Sequence, residues 1–69
     1  MIFVFKTSVK TSSQVKRLKP YIDDLLPHAK WNFDLHDMDN ILRVDSQENI
    51  VSGIIELLDK HNHSCEELQ

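Results

Sequence analysis

Apolar and polar residues alternate from Met1 to Val9. Phe3, Phe5, Thr7 and Val9 share one face, and Ile2, Val4, Lys6 and Ser8 share the other. A period of two predicts a strand with Phe3, Phe5 and Val9 facing the core. From Thr11 to Leu26 the period lengthens. Val15, Leu18, Ile22 and Leu25 recur at spacings of three, four and three, the stripe of an amphipathic helix. Thr11 and Gln14 frame a capping box at its start, in which each side chain meets the other residue's backbone N–H. Pro20 removes a hydrogen bond to the Lys16 carbonyl and predicts a bend, and Pro27 ends the helix. Alternation returns over Ala29 to Leu35, with Trp31, Phe33 and Leu35 on one face. A polar turn follows over 36–40, and a third strand over Ile41 to Asp45 turns Leu42 and Val44 inward. Ser46 is the expected N-cap of a second helix, with Glu48 in its first turn and a stripe of Ile50, Ile54, Leu57 and Leu58. Asn62 suits a left-handed residue just past that helix, and His63 to Leu68 reads as a short edge strand.

The order β-α-β-β-α-β, with an apolar stripe on each helix, predicts an α+β fold. Its simplest arrangement is the ferredoxin-like one: a four-stranded antiparallel sheet with two helices on one face. Right-handed crossovers put the first and third strands in the middle and the second and fourth at the edges. Residues 1–69 make one small domain, of a size that buries only about 60% of its unfolded surface. A deep cavity for a large cofactor is not expected. A net charge of −3 argues against a general affinity for nucleic acid. The longest apolar run, Met1 to Phe5, falls far short of the roughly 18 residues of a membrane span, so no membrane insertion is expected. No signal peptide is visible, and a single cysteine forms no internal disulfide, so a reducing, cytoplasmic home is the expectation.

Four stretches, Lys6-Thr7-Ser8-Val9-Lys10, Trp31-Asn32-Phe33-Asp34-Leu35, Asn40-Ile41-Leu42-Arg43-Val44 and Cys65-Glu66-Glu67-Leu68, resemble the heavy-metal-associated (HMA) domain. That family includes small copper chaperones and N-terminal modules of metal-transporting ATPases. The resemblance spans essentially the whole chain. It implies a Cys-x-x-Cys pair between the first strand and first helix that holds a soft ion, commonly Cu(I). Here the two positions correspond to Thr11 and Gln14, and neither supplies a thiolate. Cu(I) selects sulfur, so the family's chemistry is missing from its usual place. The loop reads as a metal site converted into a structural helix start, and no cofactor is expected there.

Other metal-competent side chains sit in His61-Asn62-His63-Ser64-Cys65. The resemblance implies that His63 lies near the metal loop. The alternative reading is therefore a weak Cu, Zn or Ni site built from His61, His63 and Cys65. The preferred reading is structural: Lys60 and His61 suit a helix C-terminus, and Cys65 takes a small, buried strand position. His28 is isolated. His36, beside Asp34, Asp37 and Asp39, lacks the calcium-loop pattern and reads as a solvated turn. The serines have no Gly-x-Ser-x-Gly context, and Gly53, the one glycine, excludes a glycine-rich phosphate loop. Gly53 is expected to mark close packing of the second helix on the sheet. No enzyme is expected.

Lys10, Lys16, Arg17 and Lys19 make the first loop and helix basic, whereas most acidic residues lie elsewhere. A basic patch on an acidic chain suits an acidic partner surface, expected to be another ferredoxin-like or transporter domain. The alternative for these residues is an ordinary solvated helix face. The chain is read as a monomer, with pairing through an edge strand left open.

Overall fold

The computed structural model describes residues 1–36 and 38–68. Six elements follow in the expected order: β1 (Ile2–Thr7), α1 (Ser12–Leu25), β2 (Lys30–Asp34), β3 (Ile41–Asp45), α2 (Val51–Lys60) and β4 (Cys65–Leu68). The strands form one antiparallel sheet in the order β2-β3-β1-β4. This is the ferredoxin-like layout, with β1 and β3 central and β2 and β4 at the edges.

Register explains the core. Phe3 lies opposite Val44 and Phe5 opposite Leu42, while Trp31 and Phe33 of β2 meet the same two β3 residues from the other side. These inward residues join Leu18 and Ile22 of α1, and Ile54 and Leu58 of α2, in one cluster. Phe5, Ile22, Leu42, Val44, Ile54 and Leu58 are completely buried. Fully burying each such side chain is worth about 1.5–3 kcal/mol. Ile41 is buried as well, although it lies on the opposite face, between Lys6 and Asp34 in the ladder. Thr7 is the one buried polar residue of β1. Its hydroxyl donates to the Asn40 carbonyl at 2.7 Å and accepts from the Val9 N–H at 3.2 Å.

Three expectations about the helices need correction. The stripe of α1 ends one residue later than its spacing suggests: Leu25 is 43% exposed, and Leu26 at the C-cap takes the buried place. Leaving the helix turns the chain, so position 26 rather than 25 reaches the core. Ser46 does not cap α2. Its hydroxyl accepts from the Glu48 N–H at 3.1 Å in a local turn. The helix begins five residues beyond, after Ile50, with the Val51 N–H satisfied by Asn49 Oδ1 at 3.1 Å. Gly53 packs against α1, not the sheet: a Cβ there would stand 3.6 Å from Leu25 Cδ2.

The other boundaries follow the sequence closely. The helix α1 continues from Ser12 to Leu25 through Pro20. At the end of α2, Asn62 adopts φ 66°. Its N–H bonds the Asp59 carbonyl at 3.0 Å, and the His63 N–H bonds the Leu58 carbonyl at 2.9 Å. This pair is a Schellman motif, which satisfies carbonyls that the helix end would otherwise leave open.

Candidate functional site

The loop between β1 and α1 is organised by its own hydrogen bonds. Thr11 has extended backbone angles, and its hydroxyl accepts from the Gln14 N–H at 3.1 Å. The Gln14 side-chain carbonyl accepts from the Thr11 N–H at 3.3 Å and from the Lys10 N–H at 2.7 Å. The expected capping box is therefore present, with one bond more than its minimum. Three backbone donors that would be open at a helix start are satisfied. The positions where the resemblance implies thiolates are occupied by an alcohol and an amide engaged with the backbone.

Lys10, Lys16 and Arg17 surround this helix start and are exposed. Among the described residues none of the three has a carboxylate within ion-pair distance, and the first turn of α1 holds no acidic residue. The positive end of the helix dipole adds to their charge. Lys19 differs. Its Nζ lies 2.8 Å from Asp23 Oδ2 and 5.8 Å from the Trp31 ring centroid. Asp23 also accepts from Trp31 Nε1 at 2.9 Å. The bonds from Lys19 and then Trp31 hold the Asp23 carboxyl below its ordinary 3.8. The spacing of four residues is the sequence signal for the Lys19–Asp23 pair, which takes Lys19 out of the unpaired basic patch expected of it. The Trp31 contact gave no such signal, because it depends on how β2 meets α1. Together these residues border an open groove whose apolar wall is Val15, Trp31, Phe33 and Leu35.

The histidines and the cysteine that follow α2 have separate surroundings, with His63 reaching Ser8 just before the β1–α1 loop. The His61 ring packs against Tyr21 of α1, with centroids 4.4 Å apart. His63 Nδ1 lies 3.3 Å from Ser8 Oγ at the end of β1, and that same oxygen accepts from the Ser64 N–H at 2.9 Å. Cys65 is half-buried beside the core, opposite Thr7 in the ladder. Burial pushes its thiol up to about 12 from an ordinary 9.0, so it stays protonated at neutral pH. Among the described residues no three His, Cys, Asp or Glu side chains gather into a group able to hold a metal ion. Asp37, part of the acidic turn after β2, lies outside the described residues; Asp34 there bonds the His36 N–H and pairs with Arg43 at 3.6 Å. Among the described residues no helix is long and apolar enough to cross a membrane. No protein-family model, curated protein or solved structure matches the chain.

Proposed function

We propose that the chain is an HMA-like domain that no longer carries a thiolate-bound ion and works as a non-catalytic protein-interaction module. The observation that carries this reading is the Thr11–Gln14 box, whose bonds give the loop a structural task in place of soft-metal ligation. The surface around it keeps a feature suited to docking: Lys10, Lys16 and Arg17 project exposed, unmatched charge beside a helix N-terminus. Such a surface speeds encounter with an acidic partner and orients it. The partner class that fits the resemblance is another ferredoxin-like or transporter domain with an acidic face.

Two measurements test the proposal. Partner capture from source-cell extract by the immobilised full chain is expected to fall with rising salt and to be lost with Lys16→Glu plus Arg17→Glu. Capture unchanged by that charge reversal would count against the docking surface. The HMA kinship is tested by Thr11→Cys plus Gln14→Cys, which is expected to create Cu(I) binding at the helix start. Failure of the folded double variant to gain any would argue against it.

A further inference from the structure

The outer edge of β2 has a symmetry that neither its length nor its hydropathy reveals. The ladder fixes which backbone groups are open there. The Ser46 N–H donates to the Met1 carbonyl at 2.9 Å and the Thr7 N–H to the Asn40 carbonyl at 3.2 Å. Odd-numbered β1 residues thus bond even-numbered β3 residues, and the odd-numbered β3 residues turn their backbone groups toward β2. Ile41, Arg43 and Asp45 lie opposite Asp34, Asn32 and Lys30. The N–H and C=O groups of Trp31 and Phe33 therefore point away from β3, at the open edge.

Around Asn32 the side chains are symmetric in chemical class. Reading outward, Trp31 matches Phe33, Lys30 matches Asp34 as opposite charges, and Ala29 matches Leu35. We infer that β2 pairs antiparallel with β2 of a second copy, about a two-fold axis at Asn32, to form a continuous eight-stranded sheet. In that register Trp31 and Phe33 of one copy bond Phe33 and Trp31 of the other through their open backbone groups. Lys30 of each copy faces Asp34 of the second copy, and the two Asn32 amides meet on the axis. Among the described residues Lys30 has no ion-pair partner, while Asp34 pairs with Arg43 at 3.6 Å and accepts from the His36 N–H at 3.1 Å, contacts that leave its carboxylate partly exposed. The aromatic pairs lie on the core-facing side and the charged pairs on the other, so both sets form at once. Registers shifted by two residues put Lys30 opposite Asn32 or His36 and match no lysine with a carboxylate. The other open edge lacks this complementarity: β4 carries Glu66 and Glu67 side by side, and their charge opposes pairing with its own copy.

The seam is one short strand, smaller than the roughly 1,200–2,000 Å² of stable complexes. The dimer is expected to dissociate in the ~10 μM to 1 mM range. The inference stands independently of the basic surface at Lys16 and Arg17, which its test leaves intact. Sedimentation of the full untagged chain is expected to show a reversible monomer–dimer equilibrium. Lys30→Asp and Asp34→Lys each place like charges across the seam twice, so each variant alone should dimerise about tenfold more weakly. Mixed together, the two variants restore both opposite-charge contacts and should form a heterodimer at near wild-type strength. Amide exchange supplies a second readout on the unaltered chain. With rising concentration Trp31 and Phe33 should become protected, while Cys65 and Glu67 on the far edge should not. The inference is overturned by a wild-type chain still monomeric at about 1 mM. It is overturned equally by open-ended assembly beyond the dimer, by single variants that dimerise as wild type, or by folded variants that fail to complement.

Discussion

Replacing Gly53 by alanine should stabilise the protein. Gly53 is the third residue of α2, and its φ lies outside the left-handed region that would require glycine. Glycine inside a helix costs about 0.5–1 kcal/mol relative to alanine, because the unfolded chain has more freedom to lose. The remaining question is space. The added methyl would meet Leu25 Cδ2 at 3.6 Å and Cδ1 at 3.9 Å, both ordinary van der Waals separations. It therefore fits without displacing α1. It also covers part of Leu25, which is 43% exposed, and adds a few tenths of a kcal/mol from shielded apolar surface. The total is about 1 kcal/mol, which in a domain of this size raises Tm by roughly 4–8 °C. Circular dichroism during thermal and urea unfolding reads both quantities, and the urea slope should stay unchanged. In a Leu25→Ala background the gain should shrink to the helix-propensity part alone. A fall in Tm for Gly53→Ala would refute the reasoning, since it would mean that α1 and α2 approach too closely at this point to admit a methyl.

Thr11→Ala should cost about 1 kcal/mol, read as a lower urea midpoint, because the Gln14 N–H loses its acceptor; an unchanged midpoint would mean the box is not holding the helix start. Cys65 should resist thiol reagents at neutral pH in the folded state and react at once in denaturant. Its folded pKa, raised to about 12 from 9.0, also predicts a pH effect on stability. Below pH 9 both states hold the proton. Above it the unfolded chain releases the proton first, so stability should fall as pH rises from about 9 toward 12, and Cys65→Ala should remove that slope. Asp23 has the opposite sign. Its carboxyl is held below 3.8, so Trp31 fluorescence should change only on acidification past that value, and not at all in Asp23→Asn. A midpoint above 3.8 would contradict the Lys19 and Trp31 bonds as the cause.

Much of this architecture is legible in the chain because it rests on short-range rules. Period two in Phe3, Phe5, Leu42 and Val44, and the Leu18–Ile22 spacing, identify the inward face from the sequence itself. The Thr11–Gln14 box and the left-handed Asn62 are local hydrogen-bond problems with local solutions, and both appear as the residues suggest. The misreadings share a cause. Ser46 is a good cap by type, but its hydroxyl is used in a turn with Glu48, and Asn49 meets the start of α2 instead. Leu25 fits the stripe, yet the chain's turn after α1 gives the buried place to Leu26. Gly53 faces the other helix. The Asp23–Trp31 bond and the Ser8–His63 contact join residues from different elements, so no local pattern marks them. Whether Trp31 and Phe33 leave backbone groups open depends on ladder parity, which requires the register of all three strands.

Thr11 and Gln14 close the start of α1 through backbone hydrogen bonds and offer no thiolate to a soft ion there. Anaerobic titration of the untagged chain with Cu(I) against a calibrated competing chelator tests it most directly. No binding tighter than ~10 μM is expected, and no change in affinity when Thr11 or Gln14 is replaced by alanine. Tight Cu(I) binding, many orders of magnitude stronger and lost with either substitution, would contradict it.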